Sequence, residues 1–208
     1  SIPNGVNTKI FCPPDNEKEK QIIREKLGLP SELNIILFIG HFSKDKSALD
    51  LLNSWLMLED KSKSAIVFIG STNSINFEVD LNIVNQIKSK SSEFINRNIF
   101  FVEKTDNIYE YYQSSDVYVL PSLREGLPNT LLEAMSCGLP AISSNLIGIT
   151  DWIINDSVDG FLFTPGNVNE LSTILEELLE NEILRKNIGI TARETIKLRF
   201  DISCTVKN

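Results

Sequence analysis

The stretch DVYVLPSLREGLPNTLLEAMSCGLPAISS (Asp116–Ser144) decides how the chain folds. It opens with a run rich in β-branched and aromatic residues, DVYVLPS (Asp116–Ser122). It turns at Gly126 and Pro128, continues through a helical segment, TLLEAMS (Thr130–Ser136), and enters a second short run, PAISS (Pro140–Ser144). Strand, helix and strand in so few residues make a crossover, and strands joined by a crossover helix run parallel. A continuous apolar run without alternation suits a strand covered on both faces.

The same pattern extends outward in both directions. NIILFIG (Asn34–Gly40), SAIVFIG (Ser64–Gly70), NIFFVE (Asn98–Glu103) and GFLF (Gly160–Phe163) are further strand candidates. Helical stretches lie between them. KSALDLLNSWLML has an apolar stripe at Leu49, Leu52, Trp55 and Leu56, DNIYEYYQSS offers Asp106 as its cap, and the segment from Asn167 to Phe200 reads as two consecutive helices. Six strands alternating with helices predict an α/β, Rossmann-like parallel sheet with helices on both faces. No internal repeat, low-complexity tract or interior linker divides it.

Composition narrows the function. With 208 residues, 42% of them hydrophobic, the chain has the makeup of an ordinary globular protein. A net charge of −8 disfavours nucleic acid and a polybasic membrane patch, because both need clustered Lys and Arg. No apolar run nears the ~18–20 residues of a membrane span. The three cysteines, Cys12, Cys137 and Cys204, lie far apart, which fits a reducing compartment and neither a disulfide nor a metal framework. Cys137 reads as a small buried thiol. His41 is the only histidine, so a histidine-rich metal site is excluded.

In such sheets ligands sit beyond the carboxyl ends of the strands. Three segments there carry suggestive chemistry: Gly40–Lys46, Lys104–Asn107 and Ser122–Glu133. In the last, Gly126 permits a sharp turn, Pro128 stiffens it, and Asn129 is a good N-cap for the following helix. The first amides of that helix, around Thr130 and Leu131, then lack intrahelical partners. With the helix dipole they make an anion site suited to phosphate. Glu125 lies in the turn and Glu133 one turn into the helix, and a carboxylate suits the paired hydroxyls of a ribose or hexose. Arg124 is read as a surface partner for Glu125, Gly148 and Gly160 as turn glycines, and EELLENE (176–182) as a solvated helix face. No Gly-x-Gly-x-x-Gly follows a strand and no Gly-Lys-Ser/Thr loop occurs, which argues against dinucleotide and P-loop readings.

Glu125 and Glu133, in this setting, resemble the Glu-x7-Glu signature of retaining glycosyltransferases with the GT-B fold, family 4. DVYVLPS, LLEAMSCGLPAI, VDGFLFTPGNVNEL and PNGV near the start are similar to the C-terminal half of that family, over essentially the whole chain. The resemblance implies a connector at residues 1–14 and a nucleotide-sugar donor-binding domain at residues 15–208, with the N-terminal acceptor domain absent. It implies that Glu125 bonds the donor sugar, that Glu133 bonds the ribose, and that the amides from Gly126 and Leu127 through Thr130 and Leu131 hold the diphosphate. Thr105 and its neighbours would lie near the base. The family carries an arginine after the first central strand and a lysine five residues on. Here His41 and Lys46 occupy those positions, and Ser47 replaces the usual glycine after the lysine. Arginine is always charged and grips two oxygens, whereas imidazole is mostly neutral at pH 7 unless an anion favours its charged form.

The implied reaction is transfer of a sugar from a nucleotide-diphosphate sugar to a glycan or lipid-linked acceptor, with retention at the anomeric carbon. No cofactor is expected. No Asp-x-Asp is present to bridge a diphosphate through a metal, so helix amides and Lys46 take that role. The expected partners are the nucleotide-sugar and the absent N-terminal half, with no nucleic acid and no membrane contact from this chain. The expected setting is cytoplasmic, with any membrane association left to the other half, and the isolated chain is expected to be inactive alone. A catalytically inactive nucleotide-sugar-binding module of the same fold is the alternative, and a related sugar-nucleotide epimerase is a weaker one.

Overall fold

The computed structural model describes residues 5–72, 78–103 and 105–202. Pro3, Asn4, Lys104 and Cys204, named above, lie outside them. Six strands form one sheet: β1 (Asn34–Ile39), β2 (Ser64–Ile69), β3 (Ile99–Val102), β4 (Val117–Leu120), β5 (Ala141–Ser144) and β6 (Phe161–Phe163). Their spatial order is β3-β2-β1-β4-β5-β6, and every pairing is parallel. This is the Rossmann-like architecture that the alternating pattern predicts.

Successive side chains of a strand point to opposite faces. Ile35, Leu37, Tyr118 and Leu120 therefore join one core, and Ile36, Phe38, Val117 and Val119 join the other. This is why the runs are apolar throughout. The first core is closed by α1 (Glu17–Leu27), α4 (Ile108–Ser114), α5 (Asn129–Ser136) and the last turns of α8 (Glu182–Arg199). The second is closed by α2 (Ala48–Leu56), α3 (Leu81–Lys90) and α7 (Val168–Glu180). A short helix, α6 (Thr150–Ile153), links β5 to β6.

Local chemistry sets the helix ends. Asn16 accepts the Glu19 amide at the start of α1, and Gly28 ends that helix at φ 67°. Asn181 alone separates α7 from α8 and caps the latter by accepting the Leu184 amide. Two expected details differ. The buried stripe of α2 is Ala48, Leu51, Leu52 and Trp55, with Leu49 and Leu56 at its margin. Asp106 does not cap α4. The helix starts after Asn107, whose amide donates to the Thr105 hydroxyl at 3.2 Å. The N-terminal segment is fastened to the far end of the chain: Val6 is buried, donates to Phe200 O and accepts from Ile202 N.

Candidate functional site

β1 and β4 are neighbours, but the chain leaves them in opposite directions, from β1 to β2 and from β4 to β5. A crevice opens at such a switch point, beyond the carboxyl ends of the strands. Two loops flank it, Gly40–Ser47 after β1 and Pro121–Pro128 after β4. The Leu123 amide donates to Asp45 O at 2.7 Å and ties the loops together. The backbones of the β1 and β2 ends also abut, since a Cβ on Gly70 would lie 2.1 Å from Gly40 O.

The cleft has a volume of about 960 Å³, and its lining includes His41, Lys46, Glu78, Arg124, Glu125 and Gly126. Lys46 closes a short 3-10 turn, Lys44–Lys46, and is followed by Ser47 at φ 49°. That left-handed conformation favours glycine, the residue expected there from the resemblance. Ser47 holds it with a hydroxyl bond to Lys44 O. Lys46 Nζ lies 2.6 Å from Glu125 Oε1, and Ser122 Oγ donates to the same oxygen at 2.7 Å. The Glu125 side chain is only 8% exposed, so this pair neutralises a largely desolvated carboxylate. Arg124 pairs with Asp45 and not with Glu125. His41 Nε2 sits 2.8 Å from Glu78 Oε2, with both side chains about half exposed.

The start of α5 differs from expectation by one residue. Asn129 is the first helical residue and not the cap; the cap position is Pro128, which makes no side-chain bond. The Pro128 carbonyl accepts from both Leu131 N and Leu132 N, so the Leu131 amide is used within the turn. In the loop and the first turn of α5, the amides of Gly126, Leu127, Asn129 and Thr130 are among those that donate to no described residue. Gly126 needs no left-handed backbone here, and the space around it is open. The absence of a side chain leaves the neighbouring amides uncovered.

Glu133 lies one turn further along α5. Burial raises its pKa above the ordinary carboxylate value, against the lowering effect of a hydrogen bond from Tyr112. That bond, from the Tyr112 hydroxyl to Glu133 Oε2, is 2.7 Å long. The Tyr118 hydroxyl donates to Thr130 Oγ1 at 2.8 Å. Burial pushes both phenols, and the Cys137 thiol, to higher pKa. All three therefore stay protonated at neutral pH.

The structure thus brings His41, Lys46, Glu125 and Gly126 to one cleft. Leu127, Thr130, Leu131 and Glu133 follow on the same loop and helix without lining the cleft itself, and Leu131 is fully buried. Thr105 follows β3, two strands away from β1, and is not part of the lining. The sequence reading did not single out Ser122, Glu78, Tyr112 or Tyr118. Among the described residues, no group of three or more His, Cys, Asp or Glu is placed to hold a metal ion. No helix there is long and apolar enough to cross a membrane.

Residues 19–195 match the model of the family described as glycosyl transferases group 1. Among similar proteins is the capsular polysaccharide biosynthesis glycosyltransferase CapM of Staphylococcus aureus, 26% identical over 200 residues. The alignment covers 95% of this chain and 49% of CapM, so the chain spans about half the length of that relative. In fold it resembles HepE of Anabaena, solved in complex with UDP and glucose, with a TM-score of 0.86 and 19% identity over 98% of this chain and 53% of that one. It also resembles the C-terminal domain of a glycosyl transferase group 1 family protein from Francisella tularensis (TM-score 0.83, 23% identity, 95% of this chain and 100% of that one). A family model spanning residues 19–195, together with a parallel sheet whose switch-point cleft is lined by Lys46 and Glu125, settles the kinship: the chain belongs to the glycosyl transferases group 1 family.

Proposed function

We propose that this chain is the donor-binding domain of a retaining, family 4 glycosyltransferase of the GT-B type, which moves a sugar from a nucleotide-diphosphate sugar to a glycan or lipid-linked acceptor. One observation carries this reading. At the β1/β4 switch point, the Lys46–Glu125 pair stands beside the uncommitted amides of residues 126, 127, 129 and 130. HepE, of the same fold, holds UDP and glucose in its structure, which supports a nucleotide-sugar as the ligand here.

The diphosphate sits against the amides at the start of α5, where the helix dipole adds positive potential. Lys46 turns from Glu125 to the leaving phosphate, and Glu125, held by Ser122, accepts hydroxyls of the sugar. Glu133 accepts those of the ribose. As the bond from anomeric carbon to phosphate breaks, negative charge grows on the phosphate, and donors fixed in advance lower that barrier. His41 adds to them when protonated. No side-chain nucleophile is required if the acceptor attacks from the leaving-group face. A second domain presents the acceptor in this reading, so the chain alone binds donor without efficient transfer. The engagement of His41 with Glu78, where the family has arginine, favours the second reading of a binding module that has lost catalysis.

Titration calorimetry with UDP- and GDP-sugars tests the site. One nucleotide class is expected to bind, and Lys46→Ala and Glu133→Ala are each expected to weaken it tenfold or more, about the value of one charge-assisted hydrogen bond. If the unaltered chain bound neither class, the donor-site reading would be wrong. Assay of the full-length parent then separates enzyme from module.

A further inference from the structure

The buried side chain that bonds Glu133 comes from a different element, α4: it is Tyr112. We propose that Tyr112 is a positioning residue: from inside the core, its hydroxyl fixes the Glu133 carboxylate so that the opposite oxygen is presented to the vicinal hydroxyls of the nucleotide ribose. The assignment rests on the donor-site reading, which it deepens.

Tyr112 is fully buried, and its hydroxyl must therefore find an acceptor within the fold. Two are in reach, Glu133 Oε2 at 2.7 Å and Thr130 O at 3.3 Å, and the shorter bond goes to the carboxylate. A helix-surface glutamate has several rotatable bonds and ordinarily samples many rotamers, which a ligand must freeze on binding. Here one oxygen is already held. The other, Oε1, accepts no hydrogen bond among the described residues and is not among the buried unpartnered oxygens, so it reaches solvent. An acceptor held from behind with its free edge open can take two neighbouring hydroxyls at once.

The tyrosine itself is held. Phe11 packs edge-on against its ring at a centroid distance of 5.8 Å, and the Tyr118 ring lies 6.1 Å away. Tyr118 in turn bonds the Thr130 hydroxyl. Two tyrosines, from α4 and β4, thus grip the first turns of α5 at Thr130 and Glu133. The turn that offers amides to phosphate and the carboxylate that faces ribose are set by one rigid aromatic unit.

The test compares Tyr112→Phe with the unaltered chain, by calorimetry with UDP, GDP and their 2′,3′-dideoxy forms. Phenylalanine keeps the ring and removes only the donor. Tyr112→Phe is expected to bind the ribonucleotide about tenfold more weakly. Binding of the dideoxy form should change less than twofold, because the contact that Tyr112 organises is already missing. In a Glu133→Ala background, where no carboxylate is left to position, adding Tyr112→Phe should cause no further loss. A purely structural role would weaken both nucleotides alike, and that result overturns the assignment, as does undiminished ribonucleotide binding by Tyr112→Phe. Should Tyr112→Phe fail to fold, the double variant with Glu133→Ala, which leaves no buried carboxylate unpartnered, is compared with Glu133→Ala, and any extra selective loss overturns the proposal. An unaltered chain that binds no nucleotide is a different result. It is seen before any substitution, and it removes the donor site and this assignment together.

Discussion

Glu133, the proposed ribose acceptor, sets folding against binding within one side chain. Burial raises its pKa, and the Tyr112 hydrogen bond opposes that only in part. A carboxylate with a folded pKa above its unfolded value favours the fold at pH below the unfolded value, and that favour is lost as pH rises through the folded value. At pH 7 the ionised group therefore weakens the ligand-free fold. Glu133→Gln, which keeps an acceptor for Tyr112, is expected to raise the melting temperature at pH 7 by about 1–3 °C, with a smaller gain at pH 4. Thermal melts at both pH values check this, and nucleotide affinity should fall in the same variant. The two glutamates were readable in the sequence because spacing, strand and turn agreed around them. Ser122 lay within the same motif without a signal of its own. The partners of Lys46 and His41 were not readable, since Lys46 meets Glu125 across 79 positions and His41 meets Glu78 across a separate loop. Asn129 was misread as a cap because the Pro128 carbonyl, a backbone group, starts the helix one residue earlier.

At the scale of elements, the packing of α8 on α5 depends on backbone approaching backbone. A Cβ on Gly189 would lie 2.1 Å from Gly138 O, and Gly138 itself ends α5 at φ 75°. Neither atom belongs to a flexible side chain that could move aside. Gly189→Ala gains helix propensity of about 1 kcal/mol, yet must push two helices apart. We expect a net destabilisation of about 2–3 kcal/mol, seen as a lower urea midpoint with an unchanged slope. Gly138 could be read from sequence, because glycine after a helical run marks its end. Gly189 could not, because a glycine within a helical pattern signals only weakness until the neighbouring helix is known. For the same reason the strands were readable and the margin of the α2 stripe was not. A strand buried on both faces announces itself by composition, whereas a helix stripe depends on which neighbours it meets.

For the molecule as a whole, the sheet is fastened at the rim opposite the cleft. Asp116, at the start of β4, accepts from Ile35 N, Arg24 Nη2 and Lys20 Nζ, each at 2.6 Å, and so joins β1, β4 and α1. Arg24 is 3% exposed and also donates to the carbonyls of Ser114, Ser31 and Leu33. Burial alone would raise the Asp116 pKa, but Lys20, Arg24 and the Ile35 amide outweigh it and hold it below the ordinary value. A depressed carboxylate contributes stability above its unfolded pKa of about 4, and loses it as pH falls through the folded value. Melting temperature should therefore drop below about pH 4, and Asp116→Asn should flatten that acid limb while costing about 3 kcal/mol at pH 7, where Arg24 is left buried without its counter-charge. Parallel strands under helices could be read from six apolar runs, but their lateral order could not, because the runs are chemically alike and only tertiary pairing ranks them. With its fastenings at the amino rim and its candidate site at the carboxyl rim, the sheet is a chassis. Loops can be exchanged along one side without loosening the bolts on the other, which makes the turns after β1 and β4 natural places to re-engineer the preference of the proposed donor site.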